Sequence, residues 1–344
     1  MTGTSHAPRA LLRATICLSF VVLVPASAVS ATSAEGRALT SVNIVILPVE
    51  PTMQAAYAEA RGFFERQGID AKITVLSDPA QIPAAVLSGD AQFSSFNVGG
   101  LATLKARGFP VRMVASGALY RPKAPTTAIV AGPGKRITRA RDLVGKRIAI
   151  DARNTIAHIG LLKWLKRNGL SADDVTFSEL PFAQMLGPLG RGTVDAAVLP
   201  EPFLTLATRR GARRVATIFD AVCVKDCLIT IWMARKDVDP NLAARFRNAI
   251  QAAAVWANQE QNQRASGAIL ASYAPIDTGV IAKMTRSSYA TRLRPASAQP
   301  WIDVYAEFGV IPGDILGARS REVGISDTTV GSRCKRKQAT SLSS

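Results

Sequence analysis

Short β-branched segments alternate with amphipathic segments along most of this chain, and that alternation restricts the fold more than any other feature. Residues 42–47 read as a strand ending at Pro48, and apolar residues then recur at helical spacing over 53–67, before Gly68. The pattern continues with strands at 71–76, 91–96 and 111–117 and helices between them. Alternation at this pitch predicts a mostly parallel sheet with helices on both faces.

The middle of the chain repeats the same order. Further strands are predicted at 127–130, 147–150, 175–180 and 196–199, and an amphipathic helix begins at Asn154. A strand at 230–234, a long helix over 240–265 and a last helix at 301–308 follow. We therefore predict two similar α/β units, the second inserted into the first.

The N-terminus has the pattern of a secretory signal peptide. Arg9 and Arg13 precede an apolar run at 14–24 and a stretch of small residues at 26–31. The run is shorter than the roughly 20 residues that a membrane-spanning helix needs, which favours cleavage over an uncleaved anchor. We expect residues 1–31 to be the signal, cleaved after Ala28 or Ala31, and the protein to be exported to the periplasm.

Cysteine and histidine are scarce, with four Cys and two His in 344 residues. No metalloprotease, nucleophile-elbow or phosphate-loop motif is present in the sequence, so we expect neither catalytic residues nor a metal site nor a cofactor. After export, Cys223 and Cys227 could form a disulfide across three residues or remain as two thiols.

The charge balance is strongly basic. The chain carries 42 Lys and Arg against 25 Asp and Glu, a formal charge of +17. This field favours anionic ligands without identifying one. Part of it lies in the Ser/Thr-rich segment 319–344, which we expect to be a disordered, solvated tail and not a nucleic-acid contact.

Small polar side chains follow several predicted strands. Open α/β sheets bind ligands beyond the carboxyl ends of their strands, where helix N-termini present free N–H groups. Ser94, Ser95, Asn97 and Thr155 occupy such positions. Each could bind a ligand or could simply cap a helix.

Four segments resemble the substrate-binding proteins of ABC importers for alkanesulfonates, nitrate and thiamine-pyrimidine precursors. They are residues 57–70, 87–93, 142–149 and 192–203. The resemblance extends from about residue 42 to residue 312 and implies an α/β, two-lobed periplasmic binding protein fold of the second structural type. The sulfonate-, nitrate- or taurine-like ligand of such a protein is bound between the lobes.

The resemblance also implies a domain organisation and partners. Residues 41–125 and 231–318 would form lobe 1, and residues 126–230 would form the inserted lobe 2. The chain would be a monomer that delivers a small sulfonate-like, nitrate- or bicarbonate-like, or pyrimidine-like molecule to an ABC permease and its ATPase subunit.

Carried over to this sequence, the resemblance implies a set of ligand-binding residues near the cleft. They are Glu50, Thr52, Gln54, Ser94, Ser95, Phe96, Asn97, Asn154, Thr155, Glu201 and Trp232. Trp232 could equally belong to the core. The two acidic residues argue against a purely anionic ligand, which they would repel.

A second class of function stays open. Relatives of this fold include biosynthetic enzymes of pyrimidine, thiamine or menaquinone metabolism, for which a cytosolic protein with a His- or Cys-rich active segment would be expected. The signal-like N-terminus and the scarcity of both residue types favour a binding protein.

Export gives the first testable prediction. Mass spectrometry of the protein purified from the periplasm should show a mature N-terminus between Val29 and Glu35. An intact Met1 on the same preparation would contradict it.

Overall fold

The computed structural model describes residues 38–274 and 276–312. The signal peptide expected at 1–31 and the tail expected at 319–344 lie outside the described residues. The strands are β1 Thr40–Ile46, β2 Ile69–Val75, β3 Phe93–Asn97, β4 Val111–Ser116, β5 Ala118–Tyr120, β6 Thr127–Ala131, β7 Arg147–Ile150, β8 Thr176–Glu179, β9 Ala196–Pro200, β10 Arg213–Ala216, β11 Cys227–Leu228, β12 Thr230–Arg235 and β13 Ser288–Tyr289.

The helices lie between these strands and after the last long one. They are α1 Gln54–Ala60, α2 Phe63–Arg66, α3 Gln81–Ser88, α4 Val98–Ala106, α5 Ile156–Arg167, α6 Phe182–Arg191, α7 Phe203–Arg209, α8 Pro240–Ala257, α9 Gln263–Tyr273, α10 Thr278–Ile281 and α11 Gln299–Glu307. Among the described residues, no helix combines the length and the apolar character needed to span a membrane.

The two large sheets share one topology. The first has the order β2-β1-β3-β12-β4 and the second the order β8-β7-β9-β6-β10. In the first sheet β12 is antiparallel to both neighbours, and in the second β6 is. The chain leaves the first sheet after β4 and enters the second at β6. It leaves the second sheet after β10 and returns to the first at β12. The prediction of two similar α/β units is confirmed.

An aromatic cluster fills the core between the first sheet and α8. Phe246 of α8 stacks on Phe93 with ring centroids 3.9 Å apart and on Phe64 at 5.6 Å. Trp232 of β12 meets the same ring edge-on at 5.4 Å. All four side chains are buried. Each aromatic pair contributes roughly 0.5–1.5 kcal/mol beyond the burial of its area.

Two helices predicted as continuous are interrupted. The helix expected over 53–67 breaks at Gly62, which adopts a left-handed φ of 65°. The helix expected over 240–265 ends at Ala257, and the next residue, Asn258, holds β13 in place. Its Nδ2 donates to the Tyr289 carbonyl at 2.8 Å, and the Tyr289 N–H donates to its Oδ1 at 2.9 Å. The spacing of apolar residues along the sequence does not predict the break at Gly62 or the end of the helix at Ala257.

A third sheet, β11-β5-β13, escaped the sequence prediction. Its strands have two or three residues each, too few to show a period of two. A disulfide joins Cys227 of β11 to Cys223, with the Cα atoms 5.8 Å apart and both residues buried.

The disulfide gives the second prediction. Trypsin cleaves after Lys225, so non-reducing digests should contain the two flanking peptides as one cross-linked species that separates on reduction. Reduction should lower the free energy of unfolding by about 2 kcal/mol, as expected for so short a loop. Recovery of Cys223 and Cys227 as free thiols would contradict the pairing.

Candidate functional site

A cavity lies where the carboxyl ends of the parallel strands of both large sheets converge. Its lining comes from the last residues of β3 and β9, from the segments that follow β1, β2, β7, β8, β10 and β11, and from the first residues of the reversed strands β6 and β12. The lining residues are Leu47, Val49, Pro51, Thr52, Pro79, Ile82, Ser95, Phe96, Asn97, Thr127, Asp151, Thr155, Ile156, Ala157, Phe182, Pro200, Phe219, Ile229 and Thr230.

Five residues proposed from the sequence line this cavity: Thr52, Ser95, Phe96, Asn97 and Thr155. Two of them also cap helices. Asn97 Oδ1 accepts the Gly100 N–H at 2.7 Å at the start of α4, and the Thr155 hydroxyl accepts the His158 N–H at 3.4 Å at the start of α5. Here capping and cavity lining coexist, because the caps lie at the strand ends.

Ser95 differs from these capping residues. Its side chain is 1% exposed, and its Oγ has no hydrogen-bond partner among the described residues. A buried hydroxyl without a partner costs roughly 1–3 kcal/mol, which a ligand that bonds to it would recover. Ser94 is also buried without a partner for its Oγ, but it alternates with Ser95 on β3 and does not line the cavity.

Asn154 lies in an adjoining pocket, which shares Pro79, Phe96, Asn97 and Thr155 with the cavity. Asn154 adopts a left-handed φ of 60°. Its N–H donates to His158 Nδ1 at 3.1 Å, and its carbonyl accepts the Tyr305 hydroxyl at 2.8 Å. These bonds fix the backbone of the loop between β7 and α5. We call this adjoining pocket the vestibule.

Gln54 and Trp232 do not reach the cavity. The Trp232 indole N–H donates to Gln54 Oε1 at 3.0 Å, and both side chains are fully buried. Trp232 therefore belongs to the core, one of the two alternatives left open by the sequence.

Glu50 is also directed away from the cavity. Its fully buried carboxylate forms an ion pair with Arg286 and accepts the Ser287 N–H at 2.7 Å. Its carbonyl accepts the Tyr289 hydroxyl at 2.5 Å. The structure therefore corrects the ligand contact expected for Glu50: its carboxylate binds the segment that leads into β13.

Glu201 has a comparable structural role. Its carboxylate accepts the Thr205 N–H at 3.0 Å and the Thr205 hydroxyl at 2.9 Å, inside the first turn of α7. The Thr285 N–H lies 3.4 Å from the same carboxylate, and the Glu201 carbonyl accepts the Glu50 N–H at 3.2 Å. Burial raises the pKa of Glu201. The bonds to the Glu50 N–H and the Thr285 N–H join segments of the two α/β units.

A family profile described as NMT1/THI5 like matches residues 52–264, more than half of the chain. The chain belongs to the NMT1/THI5-like family. The resemblance inferred from its four sequence segments is thereby confirmed. No curated protein matches the chain by sequence.

Solved structures show the fold that this NMT1/THI5-like chain shares. The alkanesulfonate-binding protein SsuA of Xanthomonas axonopodis pv. citri, bound to MOPS, is similar with a TM-score of 0.67 and 19% identity, covering 81% of this chain and 97% of that one. The periplasmic nitrate-binding protein NrtA of Synechocystis PCC 6803 gives 0.69 and 15%, covering 83% and 88%.

The periplasmic aliphatic sulphonate-binding protein SsuA of Escherichia coli gives a TM-score of 0.63 with 18% identity, covering 83% of this chain and 99% of that one. With the shared topology of its sheets, the NMT1/THI5-like chain therefore has the two-lobed periplasmic binding protein fold of the second structural type.

Several lining residues were not proposed from the sequence. Thr127 and Thr230 begin the two reversed strands. Phe182 follows β8 and Phe219 follows β10, both strands of the second sheet. Phe219 also meets Trp301 of α11 edge-on, with ring centroids 4.9 Å apart. The position after a strand end was a usable signal for Phe182. Pattern reasoning offers none for Thr127 and Thr230, because strand direction is a property of the assembled sheet.

Asp151 is the most consequential omission. It follows β7, within a loop already expected at the cleft, and its Oδ1 accepts the Thr155 hydroxyl at 2.6 Å. Burial raises its pKa to about 6. Among the described residues, no group of three or more His, Cys, Asp or Glu side chains could hold a metal ion.

The Glu50–Arg286 pair gives the third prediction. Arg286→Met should lower the free energy of unfolding by about 3–5 kcal/mol, because it leaves the buried Glu50 carboxylate without its cation. Lys72→Met is the matched control. Lys72 pairs with Asp70 at 2.9 Å with both side chains well exposed, so its loss should cost less than about 1 kcal/mol. Equal losses in urea unfolding would contradict the structural role given to Glu50.

Proposed function

We propose that this chain is the solute-binding protein of an ABC importer. It captures a small organic molecule between two lobes in the periplasm and delivers it to a membrane permease powered by an ATPase subunit. In this proposal residues 41–125 and 231–318 form lobe 1, residues 126–230 form lobe 2, and the chain acts as a monomer. The fold shared with sulfonate- and nitrate-binding proteins supports this role.

The observation that carries the proposal is the cavity with Ser95 in its wall. Carboxyl strand ends of both sheets meet there, and pockets at such ends are the usual ligand sites of open α/β folds. Ser95 lines the cavity, and its buried hydroxyl has no partner among the described residues. Such a group is expected where a ligand supplies the missing bond.

The walls favour an organic ligand over a small inorganic ion. Aliphatic and aromatic side chains such as Leu47, Ile82 and Ile229 dominate the lining. Of the ligand classes considered, this apolar lining supports an organic molecule over a nitrate- or bicarbonate-like ion.

We also propose that binding proceeds without chemistry. The lining, as far as the structure describes it, contains neither His nor Cys, and Ser95 has no base within hydrogen-bond distance. A nucleophilic serine needs such a base. These features support a binding protein over the biosynthetic enzymes that share the fold.

A pair of neighbouring serines gives the fourth prediction. Ligands are first selected by thermal shift from taurine, alkanesulfonates, nitrate, bicarbonate, pyrimidines and small amines, because binding to the native state raises its stability. Ser95→Ala should then weaken the best ligand by about 2- to 13-fold, the worth of one neutral hydrogen bond. Isothermal titration measures this loss.

Ser94→Ala is the matched control, since Ser94 is equally buried and unpartnered but lies outside the lining. It should bind like the parent. Without ligand, neither variant should melt below the parent, since each removes a buried hydroxyl that has no hydrogen-bond partner among the described residues. Equal affinities for both variants and the parent would refute the placement of the site.

A further inference from the structure

The charge of the cavity differs from that of the chain. The protein as a whole is strongly basic. Yet no Lys, Arg or His lines the cavity within the described ranges 38–274 and 276–312, and Asp151 is the ionisable residue in the lining. The adjoining vestibule has the opposite sign, because Arg107 and Arg153 contribute to its lining. The inner cavity therefore offers an anion to its ligand and not a cation.

The N-terminus of α5 supports the same conclusion. An oxyanion of the ligand would be expected there, where unpaired N–H groups and the helix dipole favour negative charge. The chain already places a carboxylate at this point, because the Thr155 cap donates its hydroxyl to Asp151 at 2.6 Å. A second anion would meet the first in a poorly solvated cavity.

The groups around Asp151 do not cancel its charge. Its side-chain hydrogen bond comes from Thr155, a neutral residue. Glu179, on the adjacent strand β8, pairs with Arg153 at 3.2 Å, with both side chains about half exposed. Two further titratable groups pack nearby: Tyr305, whose hydroxyl donates to the Asn154 carbonyl, and His158, whose pKa burial lowers to about 4 so that it is neutral at pH 7.

Three phenylalanine rings complete the lining. Phe96, Phe182 and Phe219 all contribute to the cavity wall. The faces of aromatic rings attract cations, and desolvation strengthens that attraction. A carboxylate together with several aromatic rings is the combination that binds an ammonium group on an apolar body.

We propose, on the basis of the proposed binding function, that the inner cavity selects an organic ammonium ion. Asp151 accepts a hydrogen bond from the charged nitrogen, the Ser95 hydroxyl bonds to a polar group of the same molecule, and the three phenylalanine rings surround its apolar part. This ligand class departs from the anionic one suggested by the overall charge of the chain.

Matched probes test the proposal. Benzylamine, benzyl alcohol and phenylmethanesulfonate share a carbon skeleton and differ in charge, as do butylamine, butanol and butanesulfonate. Isothermal titration of each into the mature protein at neutral pH should rank the amine first and the sulfonate last in both series. In the Asp151→Asn variant, amine affinity should fall by about 10- to 150-fold, the worth of a charge-assisted hydrogen bond.

Two controls accompany this variant. Alcohol affinity should be unchanged in Asp151→Asn, which shows that the cavity remains intact. Glu179→Gln removes a neighbouring carboxylate that does not line the cavity and should leave amine affinity within about twofold of the parent. An equal loss in both variants would indicate a general field effect and would overturn the role given to Asp151.

The pH dependence provides an independent readout. Burial raises the pKa of Asp151 to about 6, so its carboxylate ionises as the pH rises through that value. The alkyl and benzyl ammonium groups stay protonated over the same range. Amine affinity should therefore rise between about pH 5 and about pH 7.5, and the rise should vanish in Asp151→Asn.

The outcomes separate the two proposals. Sulfonates that bind more tightly than the matched amines, or amine affinity unaffected by Asp151→Asn, would overturn the ammonium assignment and leave the binding function standing. Failure of every probe in both series, charged or neutral, would count against the binding function itself and with it against the assignment.

Discussion

β6 and β12 run opposite to the strands beside them, and the position of the cavity depends on this reversal. Reversed strands begin at the edge where their parallel neighbours end. Thr127 and Thr230, the first residues of β6 and β12, therefore lie among the strand-end loops of both sheets. The same reversal brings two segments distant in sequence into one wall, because each reversed strand carries the chain from one sheet to the other.

The buried polar groups near this edge divide by whether the protein itself supplies their partners. Glu50 and Glu201 have partners in Arg286, Ser287, Thr205 and Thr285, and these bonds join chain segments that are distant in sequence. Removing a partner from such a charge is costly, so these residues contribute to stability. Ser95 has no protein partner, and Asp151 has a neutral one, which leaves both with bonding capacity for a ligand.

Sequence patterns predicted the architecture well because burial leaves a periodic signal in strands and helices. The strand at 147–150 agrees to the residue with β7. The amphipathic helix expected from Asn154 is α5, which begins two residues later at Ile156 and buries most of its apolar side chains. The site was predicted less completely. The loops were identified, but side-chain direction was not, so Glu50 and Gln54 were grouped with Thr52 although only Thr52 lines the cavity. Direction depends on partners such as Arg286 and Trp232, which are more than 170 residues away in sequence.

The contact between Phe219 and Trp301 affects how ligand binding to this protein can be followed. Phe219 lies in the cavity wall. Its ring also contacts the Trp301 indole edge-on, with ring centroids 4.9 Å apart. A molecule in the cavity is thus separated from an indole chromophore by a single ring. Trp301 is fully buried and belongs to α11, the last described helix of the chain. We therefore expect filling of the cavity to change the emission of Trp301, one of the four tryptophans of the chain, so that the native chain would report ligand binding without any attached dye.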